Sequence, residues 1–156
     1  RSSLITEIQN QISHERYNSN LYLYIAGYLK NKGLDNLAKH FESQHDEEIK
    51  HSLEFFSLLT DLNADVKIPL IEEVDIPFET ILDIAKAYLK QEVLTTMRID
   101  AIKKMAIEQN NPVVEEKMRE MISKQQTEYE EATSFMDKAV LLPEWYQVAL
   151  WDASIH

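Results

Sequence analysis

The sequence predicts an all-α fold: a four-helix bundle with one long crossover between its second and third helices and a short fifth helix near the C-terminus. Three observations carry that expectation. Turn residues are scarce, with 2 Gly and 4 Pro in 156 residues, whereas a β-rich chain needs them every few positions. Apolar residues recur at alternating spacings of four and three along four long stretches, the spacing of a bundle seam. The links between those stretches are short, long and short in turn. A chain of this length with 44% hydrophobic residues can fill one core, so residues 1–156 are expected as a single domain. The bundle occupies about 4–142 and the last helix about 143–154.

The first helix is expected from Leu4 to Lys30 and stops at Asn31-Lys32-Gly33, with glycine just past the last turn. The second follows from Leu34 to Asp61. Residues Leu62 to Pro77 are polar and β-branched and are punctuated by Asn63, Pro69 and Pro77, which reads as an extended link. The third helix begins near Phe78 and runs to about Glu108. Asn110-Asn111-Pro112 then supplies a cap residue before proline at the first helical position. The fourth helix continues to about Leu142, and Pro143 opens a short segment from Glu144 to about Ala153. Helices of this length span roughly 42 Å. The crossover's residues can cover roughly 50 Å, so the second and third helices are expected to be parallel. That is the connectivity of ferritin-like bundles.

Composition removes several function classes. With 0 Cys, disulfides, zinc fingers, iron–sulfur clusters and thiol catalysis are excluded within this sequence. Asp and Glu number 27 against 16 Lys and Arg, a formal charge of −11. That sign disfavours nucleic acid and anionic membrane surfaces as partners. No apolar run approaches the roughly 20 residues that cross a bilayer, and no apolar signal core with a small-residue cleavage site follows Arg1-Ser2-Ser3. A cytoplasmic location is expected.

The seams are more informative than the composition. Each is apolar at both ends and polar at its centre. The first passes from Ile8 and Ile12 through Glu15 and Ser19 to Tyr22 and Ala26; the second passes from Leu37 and Phe41 through Gln44, Glu48 and His51 to Phe55. The third holds Glu92 and Thr95 between Tyr88 and Ile99, and the fourth holds Gln125 and Glu128 between Met121 and Ala132. Ionised carboxylates are almost never buried without a partner. One glutamate on a seam reads as a shifted register or a side chain reaching outward. Four, one per helix at one level, must instead hold protons or be neutralised by cations. Two divalent ions carry the charge that balances Glu15, Glu48, Glu92 and Glu128. Oxygen ligands with one imidazole suit iron or manganese, and zinc less specifically. Glu48 and His51, three apart, share one helical face.

Other residues read more plainly. Tyr22 and Tyr88 are expected as core tyrosines with satisfied hydroxyls, and Met118 and Met121 as core filler. His14, His40 and His45 lie off the seams and are expected at the surface; Glu115, Glu116 and Glu120 read as a solvated face. The tail residues Trp145, Val148, Ala149, Leu150 and Trp151 are too apolar for a free end. They pack either on other subunits or back on their own bundle.

Taken together, Glu15-Arg16-Tyr17 with Tyr22, Ser43-Gln44-His45-Asp46-Glu47-Glu48-Ile49-Lys50-His51, Gln91-Glu92 and Ser123-Lys124-Gln125-Gln126-Thr127-Glu128 resemble bacterial non-haem ferritin along essentially the whole chain. The resemblance implies that Glu15, Glu48 and His51 bind a first iron, and that Glu48 bridges to a second iron held by Glu92 and Glu128. It also implies Gln125 as a hydrogen-bonding neighbour of that centre and Tyr22 as an electron donor beside it. Glu47 and Glu128 match two ligands of a third iron site, but Lys124 and Thr127 stand where the family carries carboxylates. Ile49 occupies the position of the haem-ligating methionine of bacterioferritins, so no haem is expected.

The function this resemblance implies is iron storage with ferroxidase activity. Fe(II) would be oxidised by O2 or H2O2 at an intra-subunit di-iron centre, with ferric mineral deposited in a hollow shell of 24 subunits. A di-iron or di-manganese redox enzyme, peroxidase- or oxygenase-like and without storage, shares the four glutamates. It is disfavoured by the missing second Glu-x-x-His. A metal-free helical scaffold is the remaining reading.

Overall fold

The computed structural model describes residues 3–156 as five α-helices: α1 (Leu4–Asn31), α2 (Asp35–Asp61), α3 (Ile81–Glu108), α4 (Pro112–Ala139) and α5 (Trp145–Ser154). No strand occurs among the described residues. None of these helices is long and apolar enough to cross a membrane. Ser3 caps α1 by accepting from the Thr6 N–H at 3.0 Å. The first three helices end alike, with a residue in the left-handed region just beyond the last turn: Gly33 at φ 77°, Asn63 at φ 53° and Asn110 at φ 53°. Glycine and asparagine are the residues that take this conformation at least cost. It lets the following N–H reach back to the helix, as Asn111 N–H does to Ala106 O at 2.8 Å.

Two helix limits differ from the sequence reading by about a turn, the others by one residue at most. α3 starts at Ile81 rather than near Phe78 because Thr80 and Asp83 form a reciprocal cap, with the Thr80 N–H donating to Asp83 Oδ2 at 3.0 Å. Phe78 stays outside the helix, buried, with its ring 5.7 Å from that of Tyr24 and 5.4 Å from that of Tyr28. α4 ends at Ala139, and Val140 and Leu141 form an exposed turn instead of a last helical turn.

The crossover is extended and tied to α1. Gln9 Nε2 donates to Asp65 O at 2.8 Å and Ser13 Oγ to Pro69 O at 2.7 Å. Further along, Tyr24 donates to Ile76 O at 2.8 Å and Tyr28 to Phe78 O at 3.0 Å. These bonds run in register from one end of α1 toward the other, so the link returns the chain the length of the bundle and leaves α3 parallel to α2. They also account for the polar residues Gln9 and Ser13 on α1 outside its seam: each donates to a main-chain carbonyl of the link.

The interior consists of two apolar clusters separated by a polar layer. One cluster contains Leu4, Ile8, Phe55, Ile99, Met118 and Met121. The other is built around Tyr22, Phe41, Tyr88 and Phe135. The tail folds back onto this second cluster. Val148 is buried, the Trp151 ring lies 5.2 Å from that of Phe135, and Trp145 donates to Glu79 O at 3.0 Å. Tyr146 and Leu150 of the same helix face outward. Asp152 is buried and its carboxylate accepts from the Leu37 N–H at 2.7 Å. Leu37 is the third residue of α2, whose own cap position, Leu34, provides no side-chain acceptor. Asp152 therefore caps α2 from across the molecule and places a negative charge at its positive end. Replacing Asp152 by Ala should cost about 1–2 kcal/mol of stability in urea unfolding and should expose α5 to limited proteolysis.

Candidate metal centre

The polar layer forms where the four seams meet. Each of α1, α2, α3 and α4 brings one glutamate to this level, and α2 adds His51 one turn beyond Glu48. Two groups of donor atoms, each mutually within 4.8 Å, result: Glu15 with Glu48 and His51, and Glu48 with Glu92 and Glu128. Glu48 belongs to both. Among these carboxylate oxygens, Glu15 Oε2, both oxygens of Glu48 and Glu128 Oε2 are buried without a hydrogen-bond partner. Orphaned buried acceptors are costly, and a cation is the partner that oxygens converging from different helices can share.

Around these atoms the carboxylates are held unequally. Glu92 accepts from Tyr22 OH on Oε2 and from Gln125 Nε2 on Oε1 at 2.6 Å. Glu15 Oε1 accepts from Gln11 Nε2 at 3.3 Å. His51 Nδ1 lies 3.4 Å from Glu48 Oε2 and 3.6 Å from Glu15 Oε2, within range of charge attraction to both.

The protonation pattern follows from crowding. Burial, reinforced by the charge of Glu15, holds the Glu48 carboxyl well above its ordinary range. Burial also raises Glu92, partly offset by the bonds from Tyr22 and Gln125. Burial and then the Glu92 charge push Glu128 up to about 7. Burial alone would lower His51, but Glu15 and Glu48 outweigh it and bring it up to about 11. The same contact makes the net shift of Glu15 downward, although burial opposes it. Burial thus favours the protonated form of Glu48, Glu92 and Glu128, while the contact with His51 favours the ionised form of Glu15. A divalent cation can take the place of those protons, which couples its binding to proton release.

The structure brings Glu15, Glu48, His51, Glu92, Glu128, Gln125 and Tyr22 together as the sequence reading grouped them. Glu47 stands apart: it belongs to neither group, and its Oε1 lies 3.4 Å from Lys50 Nζ. Its position one residue before Glu48 turns it about 100° around the helix, away from the seam. Lys124 reaches Glu54 Oε1 at 3.2 Å, alongside Lys117 at 3.1 Å.

The histidine expectations need correction. His14, His40 and His45 are half-buried and bonded rather than surface residues. His14 Nε2 pairs with Thr95 Oγ1 at 2.7 Å. That hydroxyl donates to Gln91 O, so it accepts the His14 proton and a second from Asn18 Nδ2 at 2.9 Å. Burial lowers His14 to about 4, the nearby Glu15 charge opposing it and the Arg98 charge adding to it. His45 Nδ1 bonds Ser19, and His40 packs edge-on against Phe41 and Tyr88. A seam one residue wide omits the flanking positions that a packed bundle also covers. The same omission hid Gln11 and Asn18, which lie four before and three after Glu15 and share its face.

Glu128 gives a pH prediction. Its folded value of about 7 lies above the ordinary 4.5, so folding favours the protonated form. The stability it contributes is complete below 4.5 and is lost as pH rises through 7. Glutamine at this position cannot ionise. Metal-free wild type should therefore lose stability relative to Glu128→Gln between these pH values, read by urea unfolding in chelator; a constant difference would contradict the placement.

Residues 5–141 match the family model described as ferritin-like domain. The chain is 31% identical over 129 residues to Ferritin BfrB of Mycolicibacterium smegmatis, covering 83% of this chain and 71% of that one. It is 25% identical over 104 residues to the bacterial non-heme ferritin of Staphylococcus aureus, covering 67% of this chain and 63% of its relative. Among solved structures it superposes on an open-pore ferritin of the hyperthermophilic archaeon Archaeoglobus fulgidus with a TM-score of 0.92 and 22% identity. That match covers 99% of this chain and 96% of the other, a likeness of fold.

Proposed function

The chain belongs to the ferritin family, and from that premise we propose that it is an iron-storage protein that oxidises Fe(II) at its polar layer. The observation that carries this reading is Glu48, shared by two donor groups drawn from four helices, with partnerless oxygens on Glu15, Glu48 and Glu128 turned toward one another. Glu15, Glu48 and His51 receive one ferrous ion, and Glu48, Glu92 and Glu128 receive a second. Two divalent ions match four ionised carboxylates in charge. His51 binds as neutral imidazole and the glutamates as carboxylates, so binding releases whatever protons these groups carry.

Each residue then has a task. Glu48 holds the two ions close enough for paired one-electron oxidation by dioxygen or hydrogen peroxide. The carboxylates stabilise the rising charge, because oxygen donors bind the smaller, harder Fe(III) more strongly. Gln125 fixes Glu92 through its side-chain amide. Tyr22 donates to the same carboxylate and, on this reading, supplies an electron. Ferric product moves to a mineral inside a shell of twenty-four chains in the cytoplasm, and the formal charge of −11 draws cations toward the protein.

Aerobic loading with a large excess of Fe(II), followed by native size separation with protein and iron stained in parallel, tests storage. Iron should migrate with a shell-sized species. A small species with roughly two metals per chain and no growing core would indicate the di-metal redox enzyme instead. Glu48→Ala tests the site: its initial Fe(II) oxidation should drop to that of Fe(II) in buffer, and normal oxidation by this variant would overturn the assignment.

A further inference from the structure

Glu92 and Glu15 occupy equivalent places in the two donor groups, and each accepts a hydrogen bond from a buried glutamine. Gln125 serves Glu92. Gln11, fully buried on α1, serves Glu15. Among the described residues no other side chain donates a hydrogen bond to Glu15; His51 stands 3.6 Å from its second oxygen.

A glutamine amide has a donor end and an acceptor end of nearly the same shape. Turned one way, Gln11 gives Glu15 an N–H. Turned the other way, it sets a carbonyl oxygen against a carboxylate oxygen. Arg98 of α3 removes that ambiguity, because a guanidinium donates and never accepts. Its Nε–H donates to Gln11 Oε1 at 2.8 Å. With the carbonyl end engaged by Arg98, the amide end must face Glu15. The bond to Glu15 Oε1 then leaves Oε2 directed at Glu48 and His51, where it has no hydrogen-bond partner.

We propose that Arg98 and Gln11 are positioning residues for the Glu15, Glu48 and His51 site: Arg98 sets the Gln11 amide, and Gln11 holds Glu15 so that one oxygen is presented to the incoming divalent cation. This rests on the reading of that group as an iron site. Neither residue touches the cation. Their contribution is preorganisation, since a carboxylate already aimed at its cation loses less freedom on binding.

Binding of Co(II), which does not turn over, measures the effect without iron oxidation. The full chain is used in a Glu128→Ala background, which disables the second donor group. The visible Co(II) spectrum and the affinity are read for Arg98→Met, Arg98→Lys and Gln11→Leu. Loss of a residue that orients a ligand costs about 10–100-fold in metal affinity; Arg98→Met and Gln11→Leu should lose affinity in that range. Arg98→Lys retains a donor-only group and should restore most of it. A role in packing alone predicts no such rescue. In otherwise wild-type chain, Arg98→Met should raise KM for Fe(II) more than it lowers kcat. Undiminished Co(II) affinity in Arg98→Met overturns the proposal, as does equal loss in Arg98→Lys. Failure of the Glu128→Ala parent to bind Co(II), while wild type also binds none, overturns the iron-site reading itself.

Discussion

Buried negative charge is the constraint on which this structure depends. Four carboxylates meet between two apolar clusters, in surroundings too poor in water to solvate them as ions. A fold optimised for stability alone would fill that level with apolar side chains. Here the layer is kept, and everything around it limits the cost. Tyr22 and Gln125 satisfy both oxygens of Glu92, Gln11 satisfies one of Glu15, and His51 offsets the charge of Glu15 and Glu48. What stays unsatisfied is the set of oxygens that face one another.

The remainder of the fold keeps those oxygens in place. Long helices bring one residue each to the same height only if their registers are fixed, and the structure fixes them by packing the clusters above and below the layer. The aromatic cluster of Tyr22, Phe41, Tyr88 and Phe135 does this at one end, with ring centroids 5.1 Å apart for Phe41 and Tyr88. α5 closes the same end, covering Phe135 with Trp151 and capping α2 with Asp152. The crossover fixes α1 along its length through main-chain carbonyls. Positioning at the centre is therefore distributed over elements that contribute no donor atom.

The residues that surround the donors divide by what they do to charge. Donors such as Tyr22, Gln125 and Gln11 stabilise ionised carboxylates and favour cation entry. Burial acts the other way and raises the carboxyls of Glu48, Glu92 and Glu128 above their ordinary range. The balance between these two effects sets how much negative charge the layer carries. The His14, Asn18, Gln91 and Thr95 network adds a further polar shell between α1 and α3, in which each hydrogen bond restricts the direction of the next.

The four-helix architecture, the parallel pair across the long link and the glutamates at the centre were legible in the sequence, because each is a local pattern. Seam spacing follows from the helical repeat, helix ends follow from Gly33, Asn63 and Asn110, and a glutamate interrupting an apolar seam is conspicuous by chemistry alone. Contacts between elements were not legible. That Asp152 would cap a helix more than a hundred residues earlier in the chain, that Gln9 and Ser13 would serve the crossover, and that Arg98 would set the Gln11 amide all depend on which helix faces meet. His14 and His40 were misread for the same reason: off-seam positions look exposed on one helix, and only packing of neighbouring helices decides whether they are. The sequence by itself determined the period, the punctuation and the charge that had to be neutralised. Tertiary structure alone decided which oxygens were left free to face a cation, because hydrogen bonds between distant residues have no periodic signature along the chain.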